Sequence, residues 1–246
     1  MDIRNNYLFG LDIDLSNYGL GKIYQPKYRD FLDNNMEHSD FVKVFYLSEI
    51  FNYKYGSEIE KIGPIVFLMS IDLENKDESL MKNLHTSLEI LYRTKDIKFV
   101  EHLATFIINE EIVIDKENFK YLCRVVLEMT KTNIDYKALD KKATSDNEIL
   151  NEFERRKKEY EEKSSKKKND ITFIDIINTV IHYQNNINYQ SILDWTIYQI
   201  KNTYEVLISK EANYITIFRQ ASMKFDIQEV SNWQTSAKLN KTKLGK

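Results

Sequence analysis

The stretch "INYQSILDWTIYQIKNTYEVLIS", residues 187–209, decides most of what the sequence predicts about the C-terminal part of the fold. It contains one tryptophan, three tyrosines and a run of aliphatic residues, with no arrangement that suggests chemistry. Ser191 followed by Asp194 resembles a capping box, which predicts a helix N-terminus. The apolar residues recur mostly every three to five positions and therefore share one helical face. They are Ile192, Trp195, Ile200, Tyr204 and Leu207.

One more helix is predicted on each side of this stretch. The first can start at Asp170 or Thr172, because the following "FIDIINTVIHYQNN" is amphipathic and both residues are N-cap types. A separate helix, "EANYITIFRQASM", is predicted after Lys210. We find no heptad repeat long enough for a coiled coil. The three segments predict a helical bundle over residues 170–233, followed by a flexible basic tail at 234–246.

Residues 1–150 predict a mostly helical domain that contains a short β-hairpin. Alternating apolar residues in 1–26 predict a strand, a turn and a second strand, or a meandering arm. Helical segments follow, and Pro64 is expected to interrupt one of them because proline lacks a backbone N–H. The hairpin is predicted from β-branched and aromatic residues, with strands near 97–107 and 111–114.

A charged segment separates the two predicted domains. Thirteen of the 17 residues in 152–168 are charged, eight basic and five acidic. Such a segment buries too little apolar surface to offset the entropy lost on ordering. We therefore place a charged linker at residues 151–169. Its acidic residues interleave with the basic ones, which disfavours nucleic-acid binding relative to a solvated linker.

The composition indicates a mainly α protein with a small β element, an α+β class. Six glycines and two prolines among 246 residues are too few for a turn-rich all-β fold. The net charge of −3 favours neither nucleic acid nor a membrane surface. One cysteine excludes an internal disulfide and fits a reducing compartment. We expect no signal peptide at the N-terminus and no membrane span.

The residues that usually perform chemistry form no recognised motif. Each of the four histidines lacks a second histidine three or four positions on, as a zinc helix would require. Cys123 lies close to the apolar face of a predicted helix, where a thiol packs as a small hydrophobe. Asp12 and Asp14 would share a strand face, but no calcium-loop pattern accompanies them. We expect no enzyme activity, no metal and no cofactor.

The aromatic residues of the C-terminal part are the candidate partner-binding residues. They are Trp195, Tyr198, Tyr204, Tyr214 and Trp233. Tyrosine and tryptophan are common anchors of protein–protein contacts because they combine a large apolar area with a polar tip. The alternative is that these rings form the core of a small helical bundle. The sequence leaves both readings open.

Two segments resemble morphogenetic proteins of tailed phages of Gram-positive bacteria. The first is "FIINEEIVIDKENFKYLCRVVLEM", residues 106–129, with two strand motifs that lead into a helix beginning at "ENF". The second is "TFIDIINTVIHYQNNINYQSILDWTIYQIKNTYEVL", residues 172–207. Its "DWTIYQ", residues 194–199, is similar to the "LTIYQ"-like helix of those proteins.

The resemblance implies a non-enzymatic phage protein that acts by binding. Within that class it suggests a tail assembly chaperone, which would bind the tape-measure protein or the tail-tube protein in the host cytoplasm during assembly. Self-association is a further option. Two alternatives stay open: a minor virion protein at the head–tail junction or baseplate, and a nucleic-acid-binding accessory protein that uses the lysine-rich segments.

Overall fold

The computed structural model describes residues 3–55, 63–75, 79–134, 136 and 171–221. Over these residues the protein is mainly helical and contains two small antiparallel sheets, which confirms the predicted fold class. The predicted linker at 151–169, the tail at 234–246 and Trp233 lie outside the described residues. No helix among those that are described is long and apolar enough to span a membrane.

The chain divides into two compact units. The first comprises Met1–Asp170 together with Leu193–Tyr198, and the second comprises Ile171–Ile192 and Gln199–Lys246. The helices described in the first unit are α1 (Ile3–Phe9), α2 (Tyr28–Asp33), α3 (His38–Tyr55), α4 (Pro64–Asn75), α5 (Ser79–Tyr92) and α6 (Lys116–Met129). Its strands are β1 (Ile13–Asp14), β2 (Lys22–Ile23), β3 (Ile97–Val100), β4 (Thr105–Ile108) and β5 (Ile112–Ile114).

The N-terminal residues fold as a helix followed by a very short hairpin. Helix α1 precedes the antiparallel pair β1–β2, in which Ile13 lies opposite Ile23. The predicted strand–turn–strand was therefore right for the hairpin and wrong for the residues before it. The turn requires Gly21, which has a φ of +60° and on which a Cβ would lie 2.7 Å from Ile112 Cδ1.

The second sheet is a three-stranded meander in the order β3–β4–β5, and the prediction of two strands was wrong. A 3-10 turn at Glu101–Leu103 and a left-handed Ala104, with a φ of 47°, divide the first predicted strand into β3 and β4. The turn before β5 lies close to the gap between the two predicted strands. Asn109 and Glu110 there both have positive φ values, a conformation that tight hairpin turns demand.

Helix α3 lies at the centre of the first unit and packs against α4, α5 and α6. Three fully buried phenylalanines join α3 to α6: the Phe41 and Phe45 ring centroids are 5.4 Å apart, and those of Phe45 and Phe119 are 6.2 Å apart. Asp115 caps α6 by accepting hydrogen bonds from two backbone N–H groups of its first turn. Pro64 occupies the first position of α4, where its missing N–H costs nothing.

Residues Leu193–Tyr198 pack with the first unit although the sequence on both sides belongs to the second. The Tyr28 amide donates to the Trp195 carbonyl at 3.0 Å, and the Ile197 amide donates to the Pro26 carbonyl at 3.2 Å. The Arg29 guanidinium forms an exposed ion pair with Asp194, at 3.2 Å from Nε to Oδ1. We call these six residues the strap.

The second unit is built around helices α7 (Phe173–Tyr183) and α8 (Ile197–Ala221), and the first two residues of α8 belong to the strap. Thr172, one of the two predicted N-cap candidates, caps α7, and its hydroxyl accepts a hydrogen bond from the Asp175 amide. Residues Ser191–Asp194 form a 3-10 turn, so the predicted capping box does not start a helix there. The Ser191 hydroxyl instead accepts from the Asn188 amide.

Helix α8 runs without interruption through Lys210, where the sequence analysis placed the boundary between two helices. Nothing in Glu205–Tyr214 breaks a helix, because this segment contains neither proline nor glycine. The prediction of two separate helices was therefore wrong.

Candidate protein-binding face of helix α8

The structure separates the predicted partner-binding aromatics by exposure. Tyr198 is 5% exposed, Trp195 and Tyr204 are half-buried, and Tyr214 is 60% exposed. Their role in binding stays a prediction. Among these four described residues, Tyr214 presents the largest fraction of its surface to a partner.

Tyr198 is held by residues of the first unit. Its ring lies 5.4 Å from the ring of Tyr7, and the Lys131 ammonium lies 5.2 Å from its centroid. The Tyr7 hydroxyl donates to Glu128 Oε2 at 3.2 Å. Burial, followed by the neighbouring Glu128 carboxylate, raises the pKa of Tyr7 far above its ordinary value. Tyr198 thus belongs to a packed group of rings and charges that fixes the strap.

The second half of α8 exposes a set of large apolar side chains. Ile208, Tyr214, Ile215, Ile217 and Phe218 are 43%, 60%, 48%, 46% and 76% exposed. We call these five residues the α8 face. The partner-binding residues predicted from the sequence include Tyr214 and do not include Ile208 or Ile215. Ile208 and Ile215 follow from the pattern once α8 is continuous, because Ile215 then lies one turn before Phe218 and Ile208 lies two turns before Ile215.

The continuity of α8 also produces a regular spacing of three and four residues. The positions are Ile197, Ile200, Tyr204, Leu207, Glu211, Tyr214, Phe218 and Ala221. Residues at this spacing form a single stripe, along which two paired helices contact each other. No long heptad repeat was predicted from the sequence, because the predicted boundary at Lys210 divided this stripe between two short helices. We call these eight positions the α8 seam.

Helix α7 accompanies only the first part of the seam. The Tyr183 hydroxyl donates to Glu211 Oε1 at 3.0 Å, and this hydrogen bond raises the pKa of Tyr183. Burial and then the charge of Asp175 raise the pKa of Tyr204. Asp175 therefore lies near Tyr204, and Tyr183 near Glu211, so the two helices run in the same direction. Tyr183 is the last residue of α7, and α8 continues for ten residues beyond Glu211.

The α8 face carries little charge. Lys210 lies beside it with its ammonium 5.7 Å from the Tyr214 centroid, a cation–π contact. Thr216, the polar residue between Ile215 and Ile217, donates its hydroxyl to the Ala212 carbonyl at 2.8 Å. The face is therefore an apolar strip, and two polar side chains beside it, Lys210 and Thr216, contact groups of α8 itself. Such a strip can bind apolar side chains of another polypeptide.

Glu49, Arg124 and Tyr136 form a polar cluster in the first unit that is held together by hydrogen bonds. The Glu49 carboxylate is buried, and its Oε1 accepts from Arg124 Nε at 3.1 Å and from the Tyr136 hydroxyl at 3.3 Å. Burial and the Glu49 charge raise the pKa of Tyr136 to about 12. The same two causes raise the pKa of Cys123, whose thiol is completely buried. A thiol with these properties packs between helices and is not a nucleophile.

The carboxylates that the sequence analysis considered for a cation are engaged with neighbours. Asp12 pairs with Lys22 at 2.7 Å, and Asp14 accepts hydrogen bonds from the amide and hydroxyl of Ser16. The Ser16 bonds lower the pKa of Asp14. Within the described ranges, no group of three or more histidine, cysteine, aspartate and glutamate residues could hold a metal ion.

One protein family matches part of the chain. Residues 165–238 match the family described as the YomV second domain, which belongs to an SPBc2 prophage region of Bacillus. The matched range includes α7, α8 and the whole α8 face. The chain thus contains a segment similar to a phage-associated protein family. No curated protein and no solved structure matches it.

Proposed function

We propose that this protein is a non-enzymatic phage morphogenesis protein that binds a tail protein through the α8 face. The finer form of the proposal is a tail assembly chaperone, whose client is the tape-measure protein or the tail-tube protein. It would act in the host cytoplasm during assembly. The α8 face is the observation that carries the proposal, because it presents two exposed aromatic and three exposed aliphatic side chains on one helix.

Two features of the face support a binding role. An exposed apolar strip loses water when a partner covers it, at about 25 cal/mol for each Å² removed from solvent. The side chains also stand on a regular helix, so a partner meets them in a nearly fixed geometry, which lowers the entropy lost on binding. Phe218 is the expected anchor, because it is a large aromatic side chain and is 76% exposed.

The match to a prophage-encoded family supports the phage setting of the proposal. It covers most of the second unit, including the whole α8 face. The choice of a tail protein as the client rests on the resemblance of residues 106–129 and 172–207 to phage morphogenetic proteins. It is therefore the part of the proposal that an experiment must decide.

The test is a binding measurement with the tape-measure protein and the tail-tube protein encoded by the same phage. The full chain, the double variant Tyr214→Ser/Phe218→Ser and the control Leu103→Ser are each co-expressed with one client. Leu103 is 64% exposed in the first unit and so loses a similar apolar side chain elsewhere. We expect the double variant to lose binding by at least about 30-fold, which corresponds to a hot spot of about 2 kcal/mol.

The control should bind as the unaltered chain does, and circular dichroism should show equal helix content in all three proteins. Equal client binding by the double variant would contradict the use of the α8 face. No binding of either tail protein by the unaltered chain would contradict the chaperone proposal. Recovery of the protein in finished phage particles would favour the virion alternative, because a chaperone leaves before the particle is complete.

A further inference from the structure

We infer that the α8 face, when no client is present, is covered by a second copy of this chain. The inference deepens the proposed function, because it names a second partner for the same surface. The dimer would form whether or not the protein also binds a tail protein. Three observations carry it: the spacing of the α8 seam, the lack of charge on the face, and the area that the face exposes.

The spacing is the first observation. The α8 seam alternates steps of three and four residues from Ile197 to Ala221, which is the pattern that two helices use to interlock. Among the described contacts, α7 accompanies the seam as far as Glu211. Tyr214 and Phe218 continue the seam beyond that point with 60% and 76% of their surface exposed. The exposed part of the α8 seam therefore also has the residue spacing that fits a second helix.

The chemistry of the face is the second observation. A two-fold symmetric interface brings the same patch of both subunits together, so the patch must be compatible with itself. A strongly charged patch would repel its own copy, whereas the five side chains of the α8 face are uncharged. Glu211, the one acidic seam residue, lies outside the face and accepts a hydrogen bond from the Tyr183 hydroxyl. The five side chains of the face themselves add no charge that would repel a second copy.

The exposed area is the third observation. An aromatic side chain offers about 150–250 Å², so Tyr214 and Phe218 together expose on the order of 270 Å². The three isoleucines, each a little under half exposed, bring the face to on the order of 500 Å². Two copies would bury on the order of 1,000 Å² in total, which lies at the lower limit for a specific interface. We therefore expect a reversible dimer of micromolar affinity.

The test uses the purified full chain without any client protein. Sedimentation is measured from roughly 1 to roughly 200 µM. The unaltered chain should change from the 29.3 kDa monomer toward twice that mass as its concentration rises. Phe218→Glu should weaken the dimer at least about tenfold, because each interface would then bury two facing carboxylates. The control Leu103→Glu introduces the same charge at an exposed position of the first unit and should dimerise normally.

A second measurement does not depend on a substitution that adds charge. The single cysteine of the chain, Cys123, is fully buried, so Ile215→Cys would create the one accessible thiol. Its reaction with a maleimide should slow several-fold as the protein concentration rises. The thiol of Leu103→Cys should react at a constant rate.

A monomer at every concentration would overturn the inference, and so would a dimer that Phe218→Glu leaves intact. Either result could occur while the tape-measure or tail-tube protein still binds the α8 face, in which case the proposed function stands alone. If the dimer forms and neither tail protein binds, the inference stands and the chaperone proposal fails. If both hold, client and second copy should compete, so that added client converts the dimer into client-bound monomer.

Discussion

Aromatic side chains on α3 and on α8 repeat at the same helical spacing but occupy opposite environments. Phe41 and Phe45 of α3 are completely buried, whereas Tyr214 and Phe218 of α8 are mostly exposed. Both pairs lie four residues apart on one face of a helix. The difference lies in what surrounds the helix, because α3 packs against α4, α5 and α6. Aromatic residues at helical spacing therefore indicate a helix face that packs against another element. They do not indicate whether that element belongs to the same chain.

The sharpest test of this comparison exchanges one ring in each environment for alanine. Phe45→Ala should lower the free energy of unfolding by about 3–5 kcal/mol, because it removes a ring and leaves a cavity. Phe218→Ala should change it by less than about 0.5 kcal/mol, since the ring it removes is 76% exposed. Urea denaturation of the full chain at low concentration measures both. Equal losses would show that Phe218 is part of a folded core.

The buried polar cluster extends the comparison to charged residues. Arg124→Met should cost about 2 kcal/mol, because the buried Glu49 carboxylate would lose its hydrogen bond from Arg124 and keep the one from Tyr136. Adding Glu49→Leu to that variant should recover most of the loss, since the carboxylate that lost its ion pair would then be absent. The measurement is again urea denaturation. A double variant less stable than Arg124→Met alone would contradict this explanation.

Alkaline pH should lower the free energy of unfolding through the buried tyrosines. Burial raises the pKa of Tyr7 and of Tyr92 above the unfolded value of about 10. The stability that the neutral hydroxyls provide is complete below pH ~10 and is lost as pH rises toward their folded values, by about 1.4 kcal/mol per pH unit for each tyrosine. Tyr7→Phe or Tyr92→Phe should each make the loss less steep.

The smallest expected effect belongs to the ion pair of the strap. Arg29 and Asp194 are about half exposed, so their interaction should contribute about 0.2–1 kcal/mol and should weaken as salt is added. A double-mutant cycle with Arg29→Ala and Asp194→Ala measures it. A coupling energy above about 2 kcal/mol would mean that this pair, and not the burial of Tyr198, holds the strap in place.

Local patterns predicted much of the fold. The cap at Thr172, the hairpin turn at Asn109 and the fold class all follow from short-range rules about capping and turn residues. The three-stranded sheet did not, because the left-handed Ala104 carries no sequence signal: alanine rarely adopts that conformation. The capping-box motif at Ser191 was misread because the same hydroxyl can bond the Asn188 amide instead.

The candidate site was predicted in part and for an incomplete reason. The sequence singled out Tyr214 because of its type, and the structure adds Ile208 and Ile215 through the continuity of α8. The burial of Tyr198 was not predictable, because it depends on Tyr7 and Lys131, which are distant in sequence. The exposure of a side chain depends on long-range packing, so it cannot be predicted from the periodicity of one helix.

The strap determines when this protein can finish folding on the ribosome. The first unit needs Leu193–Tyr198, since Thr196 lies opposite Lys27 in a β-bridge and Tyr198 packs on Tyr7. Synthesis must therefore pass residue 198 before that unit is complete, although its other residues emerge earlier. By then part of α8 has also been made. A nascent chain halted at residue 170 should remain sensitive to protease, and one extended beyond residue 198 by the length of the exit tunnel should become resistant.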